Sequence, residues 1–399
     1  MGLSAVYLAS TIRTFALSLL GIFTPLYVYH VLEQAGQGPA ATILTHPTGV
    51  LLGVIGYYIV HRLTLLLVNI PASYFIAEVK GGFRKSMLLS NILRAANLLL
   101  LLFAENQPLL LLPAAVMAGA LIPFYWIPYH LIFVEDGGTS PEALAKGEKV
   151  QSFSKKISKV GVLDKAAAAA GPLVGGLVIA LVGFETLLVV VLFLVIASTF
   201  PIFSMRHHER HFVPPLKMMV RDFFSKGFRK DLIAFLGAGA ENVGGALVWP
   251  IFFFGLVGSF ASLGALTSGL VLVSILVMLW LGRVVDKRGK RRVLRAGAWS
   301  QSALWGVRAF TSTVPQAFFV QAVARVAAEF LWIPFDTIVY ANASAGNPFE
   351  YVILREGALN LGRLLMLVLM AVMLLAGVGW LGSFGLAAVG ALLTIFMAR

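Results

Sequence analysis

The 399-residue chain has no cysteine, which excludes disulfides, thiolate metal sites and cysteine nucleophiles and leaves its redox compartment undetermined. It is also poor in charge: Asp, Glu, Lys and Arg make up 12% of it, against 59% hydrophobic residues. So few charges cannot cover a soluble surface of this size, and a soluble fold is excluded. Acidic residues are the scarcer sign, 18 against 31 Lys and Arg, for a formal net charge of +13. In a soluble protein that excess would point to nucleic acid, so its meaning depends on where the basic residues lie. Arg13 interrupts the first apolar stretch and no A-x-A-like site follows it, so the amino end reads as a retained span and not a secretory signal. Met1-Gly2 opens a myristoylation pattern that Val6 breaks.

A bilayer crossing needs roughly 20 apolar residues. Punctuating the chain at its charged, Gly and Pro clusters gives twelve such stretches, at 7–31, 50–77, 86–104, 109–134, 160–182, 186–205, 232–258, 262–283, 293–313, 317–341, 354–377 and 380–398. Of the 31 basic residues, 25 fall on alternate connections or the carboxyl end, Arg355 and Arg399 among them, while the intervening connections carry Glu33, Glu105 and Glu185 instead. The positive-inside rule then places both termini in the cytoplasm and the chain in the plasma (inner) membrane as a multi-pass protein. Arg13, Arg62, Arg94, Arg308, Arg325 and Arg363 remain inside spans.

The halves repeat. Trp126-Ile127-Pro128-Tyr129-His130 in span 4 returns as Trp332-Ile333-Pro334-Phe335-Asp336 in span 10. Glu78-Val79-Lys80-Gly81 after span 2 returns as Asp286-Lys287-Arg288-Gly289 after span 8, and Lys159, Gly161, Leu163 and Asp164 match Arg355, Gly357, Leu359 and Asn360. Three matches in order describe a parallel repeat of six spans about an axis normal to the membrane. The expected organisation is an all-α membrane protein with a six-helix bundle over 1–205, a cytoplasmic linker over 206–231 and a second bundle over 232–399.

These features resemble the major facilitator superfamily of secondary transporters over essentially the whole chain. The run from Gly282 to Arg291, with Asp286 and Gly289 inside it, is similar to the family signature G-x-x-x-D-R-x-G-R-R between spans 8 and 9. Its first-half copy keeps Glu78 and Gly81 with Arg84 and Lys85 trailing, and has Tyr74 where Gly is expected. The resemblance implies that Gly282, Asp286, Gly289 and Arg291, with Glu78 and Gly81, act in switching between access states. Ala167–Gly176 resembles the G-x-x-x-G-P-x-x-G-G element of drug/proton antiporters, with Ala167 for the first Gly, and close helix packing explains the same small residues. Span 4 lacks the Arg that those antiporters carry there.

Charged residues inside spans cost roughly 2.5 to 3.5 kcal/mol at a helix centre and are functional candidates by default. Six arginines against few deep acids leave the centre net positive, which suits a carboxylate or phosphate held by bidentate bonds. The candidate substrate-binding residues are Arg13, Arg62, Arg94, Asn242, Trp126 and Trp332, with snorkelling or helix packing as the structural alternative for the arginines. The resemblance implies that spans 1, 4, 7 and 10 line a cavity, so Glu241 and Glu329 are the candidates for proton coupling. His130 and Asp336, at equivalent repeat positions, are expected to face each other and close an inner gate. The tract from His207 to His211 has no metal spacing, and Asn342-Ala343-Ser344, on the cytoplasmic side, reads as an unused sequon.

No G-x-x-x-x-G-K-S/T phosphate loop occurs, so energy would come from an ion gradient, an exchange partner or the substrate's own gradient. The expected activity is alternating-access transport of a small solute, not enzyme catalysis, with a small organic anion favoured over an amphipathic drug. A transporter-like receptor that moves nothing is the reading from another class, and it predicts a filled centre. Expected partners are a small-molecule substrate, protons and membrane lipid, with no nucleic acid, metal or cofactor, and a monomeric chain.

Overall fold

The computed structural model describes residues 2–36, 47–137, 166, 168–204 and 215–398. Backbone polar groups cannot stay unpaired in hydrocarbon, so each apolar stretch becomes a helix. Span 1 is a broken pair, Gly2–Leu20 and Thr24–Gly36. Span 2 is Pro47–Glu78, span 3 Gly82–Leu102 and span 4 Leu111–Gly137. Spans 5 and 6 share the run Gly171–Ala197, divided at Gly183, whose φ of 87° and ψ of 172° no helix admits. Span 7 is Arg229–Val243, a π-helical turn Gly244–Val248, and Trp249–Val257. Span 8 is Phe260–Arg288, span 9 Lys290–Arg308, span 10 Val314–Ser344, span 11 Pro348–Leu375 and span 12 Gly379–Leu393.

Ten helical stretches are long and apolar enough to cross a membrane. One of them, Gly171–Ile202, holds both span 5 and span 6. Span 9, with five Lys and Arg in its 19 residues, is the helix outside that set. Among the described residues the total is therefore twelve, in two repeats of six.

Span 11 begins six residues before its expected start. Pro348 suits the first helical turn, and the Asn347 side chain accepts from the backbone N–H groups of Phe349 and Glu350 at 3.1 and 3.3 Å. The earlier start moves Arg355 out of the connection and into a buried helical turn.

The repeats meet along spans 2 and 11 and along spans 5 and 8, with span 4 touching spans 10 and 11. At the second seam Gly176 faces the Phe260 backbone and Gly264 faces that of Pro172, so closely that a Cβ on either would collide. Close packing is thus a role that Gly171, Gly175 and Gly176 of that tract fill here, and Ala167 lies outside the described residues. Below, the face carrying the 2–3, 8–9 and 10–11 connections is called the basic face. On the opposite face the outer segments of spans 1 and 7 come together.

Candidate functional site

Span 10 carries Gln321, Arg325, Glu329, Trp332 and Asp336. Spacings of four, four, three and four put them on one helical stripe, and that stripe is one wall of a 480 Å³ cavity. Span 9 contributes Gln301, Trp305 and Arg308, and span 7 contributes Glu241 and Asn242. Glu241 is held in place: Gln301 Nε2 and Trp305 Nε1 donate to its Oε1 at 2.8 and 3.3 Å. Arg308, 2% exposed, donates to Gln321 Oε1 at 2.6 Å and lies 3.7 Å from the centre of the Trp305 ring. Three carboxylates and two guanidiniums therefore share this wall, with Trp332 between Glu329 and Asp336.

A second cavity of 180 Å³ lies against the first half. Its polar lining is Thr24, Tyr57, Tyr58, His61, Arg62, Arg94 and Asn97, and no carboxylate is on its wall among the described residues. Arg94 Nη1 donates to Asn97 Oδ1 at 3.3 Å. Arg62 Nη1 reaches across the seam to Asn360 Oδ1 at 3.3 Å, and Arg363 of span 11 donates to the same oxygen at 2.9 Å. Three guanidiniums thus gather around two amide oxygens, and the buried Nε of each has no hydrogen-bond partner. A buried cation in that condition is electrostatically incomplete. Ala246, in the π-helical turn, lines both cavities.

Toward the basic face, a charged cluster joins spans 4, 10 and 11. Arg355 Nη1 donates to His130 Nε2 at 3.1 Å, Arg355 Nη2 lies 3.7 Å from Asp336 Oδ1, and Arg355 also bonds the Glu356 carboxylate. A guanidinium only donates, so in that contact His130 accepts at Nε2, which also lies 3.6 Å from Glu356 Oε1, and Tyr340 Oη lies 2.8 Å from its Nδ1. The link between His130 and Asp336 runs through Arg355. Trp126 stacks on the His130 ring, with centroids 5.5 Å apart, and is not on either cavity wall. Asp336 belongs both to this cluster and to the larger cavity.

Arg13 is elsewhere. It is 4% exposed, bonded to the Asn91 side chain and to Ser90 Oγ at 3.4 Å, and sits 3.9 Å from the centre of the Tyr125 ring. That set ties span 1 to spans 3 and 4 and faces neither cavity. In the loop motifs, Gly81 and Gly289 have φ of 70° and 84°, conformations only glycine adopts freely. Glu78 and Arg291 are exposed. Gly282 and Asp286 fall in 282–288, whose side chains lie outside the described residues, as does the whole of His207–His211.

Gln301, Trp305, Gln321, Asn97 and Asn360 were not among the expected site residues. Their signal was the helical stripe of polar residues in an apolar span, which a search for charge alone passes over. Arg355 was hidden by its nearness to the basic connections.

No protein-family model matches this sequence, and no curated protein matches it. Solved structures do. The human organic anion transporter MFSD10 aligns with a TM-score of 0.62 at 15% identity, over 100% of this chain and 99% of that one. A variant of the E. coli fucose:proton symporter FucP gives 0.67 at 12% identity, over 99% and 97%. FucP described in its outward conformation gives 0.67 at 12%, over 99% and 98%. With twelve spans in two repeats and full-length similarity to these proteins, the chain has the fold of the major facilitator superfamily.

Proposed function

We propose that this protein is a secondary transporter of a small organic anion. The observation that carries the proposal is the smaller cavity, where Arg62 and Arg94 face space with no carboxylate on the wall. A carboxylate or phosphate entering there gains charge-assisted bonds from donors that now lack partners. The remainder of the molecule would occupy the larger cavity, against Trp305 and Trp332. That MFSD10 is described as an organic anion transporter agrees with this reading. Open volume beside both Arg62 and Glu241 argues against a receptor with a filled centre.

In this reading the basic face is cytoplasmic, and the His130–Arg355–Asp336 cluster holds it shut while substrate exchanges with the other side. Glu241 and Glu329 couple proton movement to the cycle, since a carboxylate passing between dry and wet surroundings changes its proton affinity. The three carboxylates and the indoles of the larger cavity favour one second reading, antiport of an apolar cation.

A thermal-shift panel on purified protein separates the two. Ligand at 100 times Kd stabilises by about 2.7 kcal/mol, so carboxylates and phosphate esters should raise the melting temperature while their neutral amides and alcohols do not. Stabilisation by lipophilic cations alone would overturn the anion reading. Uptake into proteoliposomes with and without a pH gradient then tests coupling.

A further inference from the structure

The linker between the repeats holds an apolar feature that transport does not use. Residues Leu216–Phe223 form a helix in which Met219 is buried to 2% exposure, while Leu216 and Val220 are each 49% exposed. Phe224, immediately after it, is 72% exposed. Between this helix and spans 2 and 11 lies a 210 Å³ slot walled by Leu66, Ile70, Met219, Phe223, Leu354 and Leu361. Among the described residues Asn69 is the one polar side chain on its wall, and its Nδ2 donates to the Ile353 carbonyl at 3.3 Å. Ile353 and Leu361 both line the slot; eight residues at 1.5 Å each make it about 12 Å long, running from the basic face into the bilayer. Water in such a slot would find few hydrogen-bond partners.

The mouth is basic. Lys217 and Arg221 are exposed and one helical turn apart, and Lys226, Arg229 and Lys230 follow, also exposed. Against them stand Asp222, paired with Arg221 at 3.0 Å, Glu350, in electrostatic contact with Asp222 and Arg221, and Asp231, buried and accepting from Tyr351 Oη at 2.9 Å. An amphipathic helix with basic and exposed apolar residues lies naturally at headgroup depth.

We propose that this slot binds one acyl chain of an anionic phospholipid from the surrounding bilayer, with its phosphate held by Lys217 and Arg221. The walls come from both repeats and from the linker, so a bound tail joins all three. It thereby favours the arrangement seen here, in which spans 2 and 11 lie together. The site is separate from both central cavities and does not depend on what they carry.

The test is native mass spectrometry of the full chain in detergent micelles doped with phosphatidylglycerol or phosphatidylcholine. One retained phosphatidylglycerol is expected, preferred about 30-fold over phosphatidylcholine, as two basic side chains near an anionic headgroup imply. At Gly357, which lines the slot, an added Cβ meets only Phe223 at 3.7 Å and Asn69 at 3.9 Å. Gly357→Leu should therefore fold, fill the slot and reduce retention to background. Lys217→Gln with Arg221→Gln should keep tail binding but lose the headgroup preference. These two positions are exposed, so the double variant carries the test alone if Gly357→Leu does not fold. Wild-type retention in Gly357→Leu, equal retention of the two lipids by the native chain, or an undiminished preference in the double variant would each overturn the proposal.

Discussion

Three arginines of the first half invite the same substitution and should answer it differently. Arg62 and Arg94 each make one hydrogen bond, at 3.3 Å, and their Nε atoms are unpartnered. Each therefore has donors free for a ligand, and a hydrogen bond to a charged group contributes roughly 1.5 to 3 kcal/mol. At 1.4 kcal/mol per tenfold, Arg62→Gln or Arg94→Gln should weaken anion binding about 10- to 150-fold. Arg94→Gln also removes a buried cation with no carboxylate beside it among the described residues, so the unliganded variant should melt no lower than the native chain, whereas Arg62→Gln, at a residue that feels the Glu356 carboxylate, should give a smaller gain. Arg13→Gln is the contrast. It loses the bonds to Asn91 and Ser90 and the contact with Tyr125, which should lower stability by about 1 to 3 kcal/mol while leaving anion affinity within about twofold, as expected for distant independent sites. Ligand titrations followed by thermal unfolding read affinity and stability together. The reasoning is refuted if Arg62→Gln and Arg94→Gln bind the anion as the native chain does, or if Arg13→Gln loses affinity as much as they do.

Other outcomes follow from the same geometry. Glu241→Gln keeps an acceptor for Gln301 and Trp305 but cannot release a proton; uptake driven by a pH gradient should collapse while substrate exchange persists, and unchanged gradient-driven uptake would remove Glu241 from the coupling role. Arg355→Gln breaks the cluster on the basic face. In this cysteine-free chain a single Ile333→Cys on the larger cavity should then react with an impermeant maleimide from that face about tenfold faster, the equivalent of some 1.4 kcal/mol in the gating equilibrium; an unchanged rate would show that the cluster does not hold the face shut. Gly239→Ala drives a Cβ into the Leu359 and Arg363 backbone of span 11 and should destabilise by about 1 to 3 kcal/mol. Gly245→Ala, with open space at its Cβ position, is the control in the same unfolding assay.

Much of this was legible in the chain. Alternating basic and acidic connections set the number of spans because charge placement is a strong, local signal. The repeated Trp-Ile-Pro motif placed His130 and Asp336 near one another because equivalent positions in a parallel repeat lie across the same axis. What sequence could not supply was partnership. Arg13, Arg62 and Arg94 look alike as isolated charges in apolar runs, and only the positions of Asn91, Asn360 and Asn97 separate a helix tie from a cavity wall. The middle of the His130–Asp336 link was lost for a related reason. Arg355 stands seven residues beyond Pro348, close enough to a connection to read as a topology marker until the Asn347 cap lengthens the helix.

The π-helical turn of span 7 has a mechanical meaning. It holds one residue more than an α-helical path requires, and Ala246 within it lines both cavities. Reabsorbing the extra residue into α geometry would turn Trp249–Val257 by about 100° about its axis relative to Glu241, with a change in length near 1.5 Å. Such a change would re-aim the outer third of span 7 relative to Glu241, and it would have to carry Trp249 and Phe252 out of their packing against Phe384 and Arg308. Gly245 has open space at its Cβ position, whereas Gly244 lies tight against Ala387 and Trp305. Removing one residue from this turn should fix the outer segment in its α-helical orientation, and a transport cycle that uses the surplus residue would then bind substrate yet fail to carry it across.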